Sequence, residues 1–102
     1  MAYRVYHITK EFPEEERFGL TSQMRRASVS VAANIVEGYA YSTSKGRHRF
    51  YEMARASLTE LEYYIDFIYM RLKYINQIQH ESLVSLRQEV GRLLHGLLRF
   101  ER

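Results

Sequence analysis

The sequence is poor in the residues that build disulfides, metal centres and tight turns. It has no cysteine, one proline and five glycines among 102 residues. The absence of cysteine excludes a disulfide framework, a thiolate nucleophile and a cysteine-based metal site. An all-β domain would need a turn about every 8–12 residues, and so few glycines and prolines make that architecture untenable.

Long apolar runs and a strong net charge are also missing. No stretch approaches the ~20 apolar residues of a membrane span, and the start, Met1-Ala2-Tyr3-Arg4, lacks the apolar region of a signal peptide. We therefore expect a cytoplasmic protein. The composition, 46% hydrophobic and 26% charged, is typical of one soluble globular domain over residues 1–102. The net charge of +3 permits an acidic partner such as nucleic acid without requiring one.

Apolar residues recur at helical spacing in four segments. The strictest stripe comprises Ala54, Leu58, Leu61, Ile65, Ile68, Leu72 and Ile75. A second stripe beside it comprises Phe50, Met53, Ser57, Glu60, Tyr64 and Phe67. Two adjacent stripes on one helix predict contact with two neighbouring helices.

The boundary residues place four helices along the chain. They run over residues 2–11, from Thr21 as N-cap to about Tyr41, from Ser42-Thr43-Ser44 to about Lys73, and from Asn76 to about Phe100. Apolar residues surround the second helix almost completely, which predicts a central position. We predict an all-α, up-down-up-down four-helix bundle with a short first helix.

The last helix has an unusually wide apolar face. Leu94 and Leu98 lie beside its main stripe, and the chain has nine tyrosines. Part of this face is expected to be buried between subunits of a homo-oligomer. The alternative is that the tyrosines lie at the surface of a monomer, with their rings against apolar groups.

Residue patterns for catalysis or metal binding are not found. The four histidines are His7, His48, His80 and His95, and none belongs to the Glu-x-x-His pattern of di-iron bundles. There is also no Gly-x-Ser-x-Gly motif and no glycine-rich phosphate loop. We expect a non-enzymatic protein without a metal or cofactor.

A few polar residues interrupt the apolar stripes or lie near the start of the second helix. They are Arg25, Arg26, Asn34, Glu37, Ser57 and Glu60. A buried carboxylate needs a charged or hydrogen-bonding partner, and an arginine can bind one bidentately. We predict a polar network that fixes the helix register. A small-ligand pocket around Glu37 and Glu60, or simple exposure of these residues, remains an alternative.

Basic residues gather in two groups. The first, at the start of the third helix, contains Lys45, Arg47, His48, Arg49 and Arg55. Cations there oppose the helix dipole, which favours a bound anion in their midst. The second group, Arg92, His95, Arg99 and Arg102, forms a row on the fourth helix. This row is interpreted either as a solvent-exposed face or as a set of phosphate contacts. The predicted nucleic-acid contacts are Lys45, Arg47, Arg49, Arg55, Arg92, Arg99 and Arg102.

A family resemblance rests on specific stretches of sequence. They are Phe12-Pro13, ERFGLTSQMRRASVSV at 16–31, NIVEG at 34–38 and GRLLHGL at 91–97, with Ala54, Ser57 and Glu60-Leu61 between them. From Val5 onward the chain resembles the bacterial four-helix bundle proteins first noted as reading frames in 23S ribosomal RNA intervening sequences. This family has no established enzymatic activity.

That family is similar to the accessory variability determinant of diversity-generating retroelements. The relative implies a homopentamer with a basic surface that binds nucleic acid and assists a reverse transcriptase. Two departures stand out here. The family's first helix normally extends well before Val5-Tyr6, so either the chain has a shortened start or its first helix is truly short, and a truly short helix would expose a groove in the bundle and disturb its normal assembly. Gly46 lies where a better helix former is usual.

We therefore expect an oligomeric bundle that binds RNA or DNA through basic surface residues. A protein-interaction scaffold without nucleic-acid binding is the first alternative, and the small-ligand pocket is the second.

Overall fold

The computed structural model describes residues 1–101, which form four α-helices and one short 3-10 turn and contain no β-strand. The elements are α1 (Ala2–Thr9), the turn Glu14–Glu16, α2 (Leu20–Ala40), α3 (Ser44–Met70) and α4 (Gln77–Phe100). These elements confirm the all-α prediction and the short first helix. Within the described residues, none of the helices combines the length and the apolar character that a membrane crossing requires.

Successive helices pack antiparallel, as predicted. α2 packs along α3, α3 packs along α4, and α1 lies against α2. The direction is visible in the side-chain pairs, because Arg26 at the start of α2 meets Glu60 late in α3. Similarly, Arg47 at the start of α3 meets Glu101 just after α4. The bundle is elongated, measuring 43 × 24 × 19 Å.

The apolar core consists of two clusters, one toward each end of the bundle. The first is built from α1, the N-terminal part of α2, the C-terminal part of α3 and Leu83, and the second includes Val31, Tyr51, Leu94 and Leu98. The predicted α3 stripe supplies both clusters, since Ala54, Leu58, Leu61, Ile65, Ile68 and Ile75 are at most 6% exposed. Only Leu72 of that stripe is half-buried.

The helix ends follow local hydrogen bonding. Thr43 accepts the Gly46 N–H at 3.1 Å and begins α3. Asn76 and Gln79 form a reciprocal capping box that begins α4. The predicted cap at Thr21 is wrong, because α2 begins at Leu20 and the Thr21 side chain is buried inside its first turn. α3 ends at Met70, short of Lys73, whose left-handed φ of 58° cannot continue a helix.

One prediction about apolar surface was wrong. α2 is not central, since Val29 is 46% and Val36 is 67% exposed. The reason is that α1 has only eight residues and covers about 12 Å of its neighbour. On α4, Leu94 and Leu98 are buried within the second cluster, and it is Leu93 and Phe100 that face solvent.

A row of polar contacts joins α2 to α3. The Arg26 guanidinium binds the Glu60 carboxylate, which also accepts a hydrogen bond of 2.9 Å from the Tyr64 hydroxyl. One turn further along, the Ser30 and Ser57 hydroxyls lie 2.9 Å apart. This row fixes the register of the two helices, and the hydrogen bond from Arg26 holds the pKa of Glu60 below its ordinary value.

The other predicted network residues have different surroundings. Asn34 donates to the Ser30 carbonyl at 2.9 Å, within α2. Arg25 donates to the Thr9 hydroxyl at 2.9 Å and lies over the Tyr6 ring, so it holds α1 against α2. Glu37 is exposed on α2.

Gly38 marks the closest approach of α2 and α3. A Cβ built on it would lie 2.6 Å from the Tyr51 ring and 3.0 Å from the Phe50 Cβ.

We expect Gly38→Ala to destabilise the protein by about 1–3 kcal/mol through overpacking, although alanine is the better helix former. Urea unfolding measures the change. The matched control is Gly96→Ala, whose Cβ would meet nothing within 4 Å. It should gain up to about 1 kcal/mol, and equal effects at both sites would refute this packing account.

The Arg26–Glu60 pair predicts an acid-dependent loss of stability. Because the folded pKa of Glu60 lies below its ordinary value near 4.5, the pair stabilises the fold above that value. The contribution disappears as the pH falls through the lowered pKa. Thermal melts at pH 7 and pH 3 should therefore show a larger loss for the wild type than for Glu60→Gln. For this partly exposed pair the difference should not exceed about 1 kcal/mol. Parallel losses would show that the pair does not contribute.

Candidate nucleic-acid interface

A cleft of about 620 Å³ lies between α3 and α4 on the outside of the bundle. Its floor is apolar, since Leu58, Leu94 and Leu98 are buried. Its rim is basic and carries Arg55, Arg92, His95 and Arg99. We call this feature the α3–α4 cleft. A smaller cleft of about 230 Å³ extends it to His48, near the start of α3.

The cleft unites the two basic groups that the sequence shows separately. Arg55 belongs to the group on α3, whereas Arg92, His95 and Arg99 belong to the row on α4. The antiparallel packing places the beginning of α3 beside the end of α4, so both groups border the same space. Three of the seven predicted phosphate contacts, Arg55, Arg92 and Arg99, therefore border one cleft.

Two of these cations form no ion pair within residues 1–101. Within residues 1–101, no carboxylate lies within 4.0 Å of the Arg92 or Arg99 guanidinium. Arg55 pairs with Glu52 at 2.9 Å, and its side chain remains 61% exposed. The excess positive charge of the cleft is therefore concentrated on α4.

The opposite end of the α3–α4 interface has a different charge. A small cleft there is bordered by Glu62 and Asp66, and Arg87 forms an ion pair with Glu62. Asp66 lies 3.2 Å from the His80 imidazole. The attractive field for an anion is therefore confined to the half of the interface that contains Arg92 and Arg99.

Arg47, a predicted phosphate contact, is engaged within the protein. Its Nε donates to the Glu101 carboxylate at 2.7 Å, and its Nη1 donates to the Tyr41 carbonyl at 3.0 Å. The Ser44 hydroxyl donates to the same carboxylate at 2.7 Å. These donors hold the pKa of Glu101 below its ordinary value. The anion expected at the start of α3 is thus supplied by the chain itself.

The remaining predicted contacts lie at the edge of the site. Lys45 and Arg49 are exposed and border a shallow depression next to His48. They continue the basic surface beyond the smaller cleft. Arg102 lies outside the described residues.

Sequence reasoning missed three components of this region. Gly91 and Gly96 line the cleft, although the sequence analysis used them only for the resemblance. Glu101 is only 9% exposed and was not singled out. The available indication was a pair of glycines, five positions apart, inside a helix that has no other helix breaker.

The small-ligand pocket has no geometric support. Glu60 is bound by Arg26 and Tyr64. Glu37 is exposed on α2, about three helical turns beyond Arg26. The two carboxylates do not converge, and neither borders the α3–α4 cleft.

Comparison with known proteins agrees with the architecture. The family described as 23S rRNA-intervening sequence protein matches residues 1–96. A crystal structure from Bacteroides thetaiotaomicron, of a protein with unknown function from the S23 ribosomal protein family, superposes with a TM-score of 0.82. It is 25% identical, and the match covers 95% of this chain and 90% of that chain. No curated protein matches. The helical fold and the match over residues 1–96 show that this chain belongs to the 23S rRNA-intervening sequence protein family.

Proposed function

We propose that the protein binds nucleic acid through the α3–α4 cleft and performs no chemistry on it. The observation that carries the proposal is the exposed pair Arg92 and Arg99, which forms no ion pair within residues 1–101 and lies beside Arg55. Planar guanidinium groups bind phosphate oxygens bidentately.

The spacing on α4 suits a repeated anion. Arg92 and Arg99 are two turns apart on one face, about 10 Å along the helix axis. Each phosphate that they neutralise releases counterions, which gives affinity that falls steeply with salt. With a net charge of only +3, binding depends on where these cations lie rather than on total charge.

The names of the relatives give further support. The matching family is named after a 23S rRNA intervening sequence, and the solved relative is assigned to a ribosomal protein family. Both descriptions refer to ribosomal RNA or to ribosomes. We accordingly propose that the protein is cytoplasmic, and RNA is the first ligand to test.

The double variant Arg92→Gln/Arg99→Gln tests the cleft directly. We expect it to bind a fluorescently labelled RNA at least about tenfold more weakly at low salt. Its plot of log K against log [salt] should be less steep by about 1.5–2, because two phosphate contacts are lost. Fluorescence anisotropy over a salt series measures both quantities.

The control for this test is Arg4→Gln/Arg71→Gln, which removes the same charge from exposed positions outside the cleft. It should retain most of the affinity. Equal losses in both double variants would contradict a localised site. Failure of the wild type to bind RNA or DNA even at low salt would refute the function.

We also propose that copies of the chain associate through α2. Val29, Ala32, Ala33 and Val36 form an exposed apolar stripe on that helix, and small side chains allow another helix to approach closely. The homopentamer implied by the resemblance is the assembly we favour. If a different protein covers this stripe, such as the reverse-transcriptase-like partner also implied, the chain is an interaction scaffold.

Val36→Asp tests the association, because it places a charge at the C-terminal end of the stripe. We expect light scattering to show that it shifts the protein toward its chain mass of 12.2 kDa with unchanged helicity. Ile78→Asp is the control, since Ile78 is 77% exposed at the start of α4. A wild type that stays at 12.2 kDa at high concentration would refute self-association.

A further inference from the structure

Two glycines lie within α4 where the bundle does not need them. Glycine is less favourable than alanine inside a helix, so each invites an explanation. A Cβ on Gly96 would meet nothing within 4 Å. A Cβ on Gly91 would make only ordinary contacts, at 3.6 Å to an Arg87 nitrogen and 3.9 Å to a Leu58 methyl. Gly38 differs, because its Cβ would collide with Tyr51.

Both glycines border the α3–α4 cleft. The two positions face about 140° apart around the helix, and it is Gly91 whose bare backbone faces α3 and the cleft floor, because its Cβ would contact Leu58. Glycine is the usual residue where another chain must approach a backbone closely. The missing side chain of Gly91 therefore leaves space in the cleft for a ligand rather than for a neighbouring helix.

The cross-section of the cleft indicates what kind of chain would occupy it. The floor is formed by the buried leucines Leu58 and Leu94, and the rim by exposed guanidinium groups. An occupant must present apolar or weakly polar surface inward and anionic groups outward. The sugar–phosphate backbone of a nucleic acid has this division along its whole length.

We propose that a single strand of nucleic acid lies along the α3–α4 cleft, with a sugar over Gly91 and its phosphates at Arg92 and Arg99. This inference rests on the proposed function and names its substrate class.

A duplex fits this cleft poorly. Packed helices lie about 8–10 Å apart, so a double helix would rest on the arginine rim and leave the glycines untouched. In the described part of the chain, the cleft is lined by no aromatic side chain. Stacking on aromatic rings is the main source of base preference in single-strand binders. We therefore expect weak dependence on base sequence.

The test uses Gly91→Ala with a labelled single-stranded RNA of about 15 nucleotides and a duplex of the same sequence. The added methyl group should weaken single-strand binding by about fivefold or more, as overpacking does elsewhere. It should also raise the melting temperature, because alanine favours the helix. Duplex binding should change little. Gly96→Ala, whose added methyl group would point away from the cleft floor, should leave single-strand binding unchanged.

Ser85→Ala is the matched control, since Ser85 is exposed on α4 outside the cleft. It should change neither affinity. If Gly91→Ala binds the single strand as well as the wild type while Arg92→Gln/Arg99→Gln still weakens binding, the strand path is wrong and the proposed function stands. Equal weakening of single strand and duplex would also refute the single-strand assignment. A wild type that binds neither probe at low salt would refute both proposals.

Discussion

The whole arrangement depends on the burial of the apolar stripe of α3. This helix has 27 residues, and both α2 and α4 pack along it. Burial of leucine and isoleucine side chains on two sides of one helix is the main favourable contribution to such a fold. Packing on α3 fixes the direction and register of α2 and α4. The positions of the charged side chains discussed above follow from this packing.

Periodicity predicts which face of a helix is apolar, and for α3 this was sufficient. The stripe from Ala54 to Ile68 is buried as its spacing indicated, and Thr43 and Asn76 cap the helices that they precede. Periodicity does not state how many apolar faces find a partner. For α2 the answer depended on the length of α1, which is why Val36 is exposed although its pattern indicated burial.

The candidate site was harder to predict because it depends on pairing between distant residues. The sequence showed two basic groups, but only the fold shows that Arg55 and Arg99 border one cleft. The sequence also could not show that Arg47 forms an ion pair with Glu101, whereas Arg92 and Arg99 form none within residues 1–101. The role of the glycines was hidden for the same reason. A missing side chain has meaning only when the space around it is known.

The contact between Arg47, Ser44 and Glu101 has a consequence for recognition. Helix ends unravel readily, and Arg99 lies in the last turn of α4. By tying Glu101 to the first turn of α3, the chain keeps that turn ordered before any ligand arrives. A binding surface that is already rigid loses less conformational entropy when it is occupied. In the proposed function, the Glu101 carboxylate at the end of α4 would thus favour anion binding without contacting the anion.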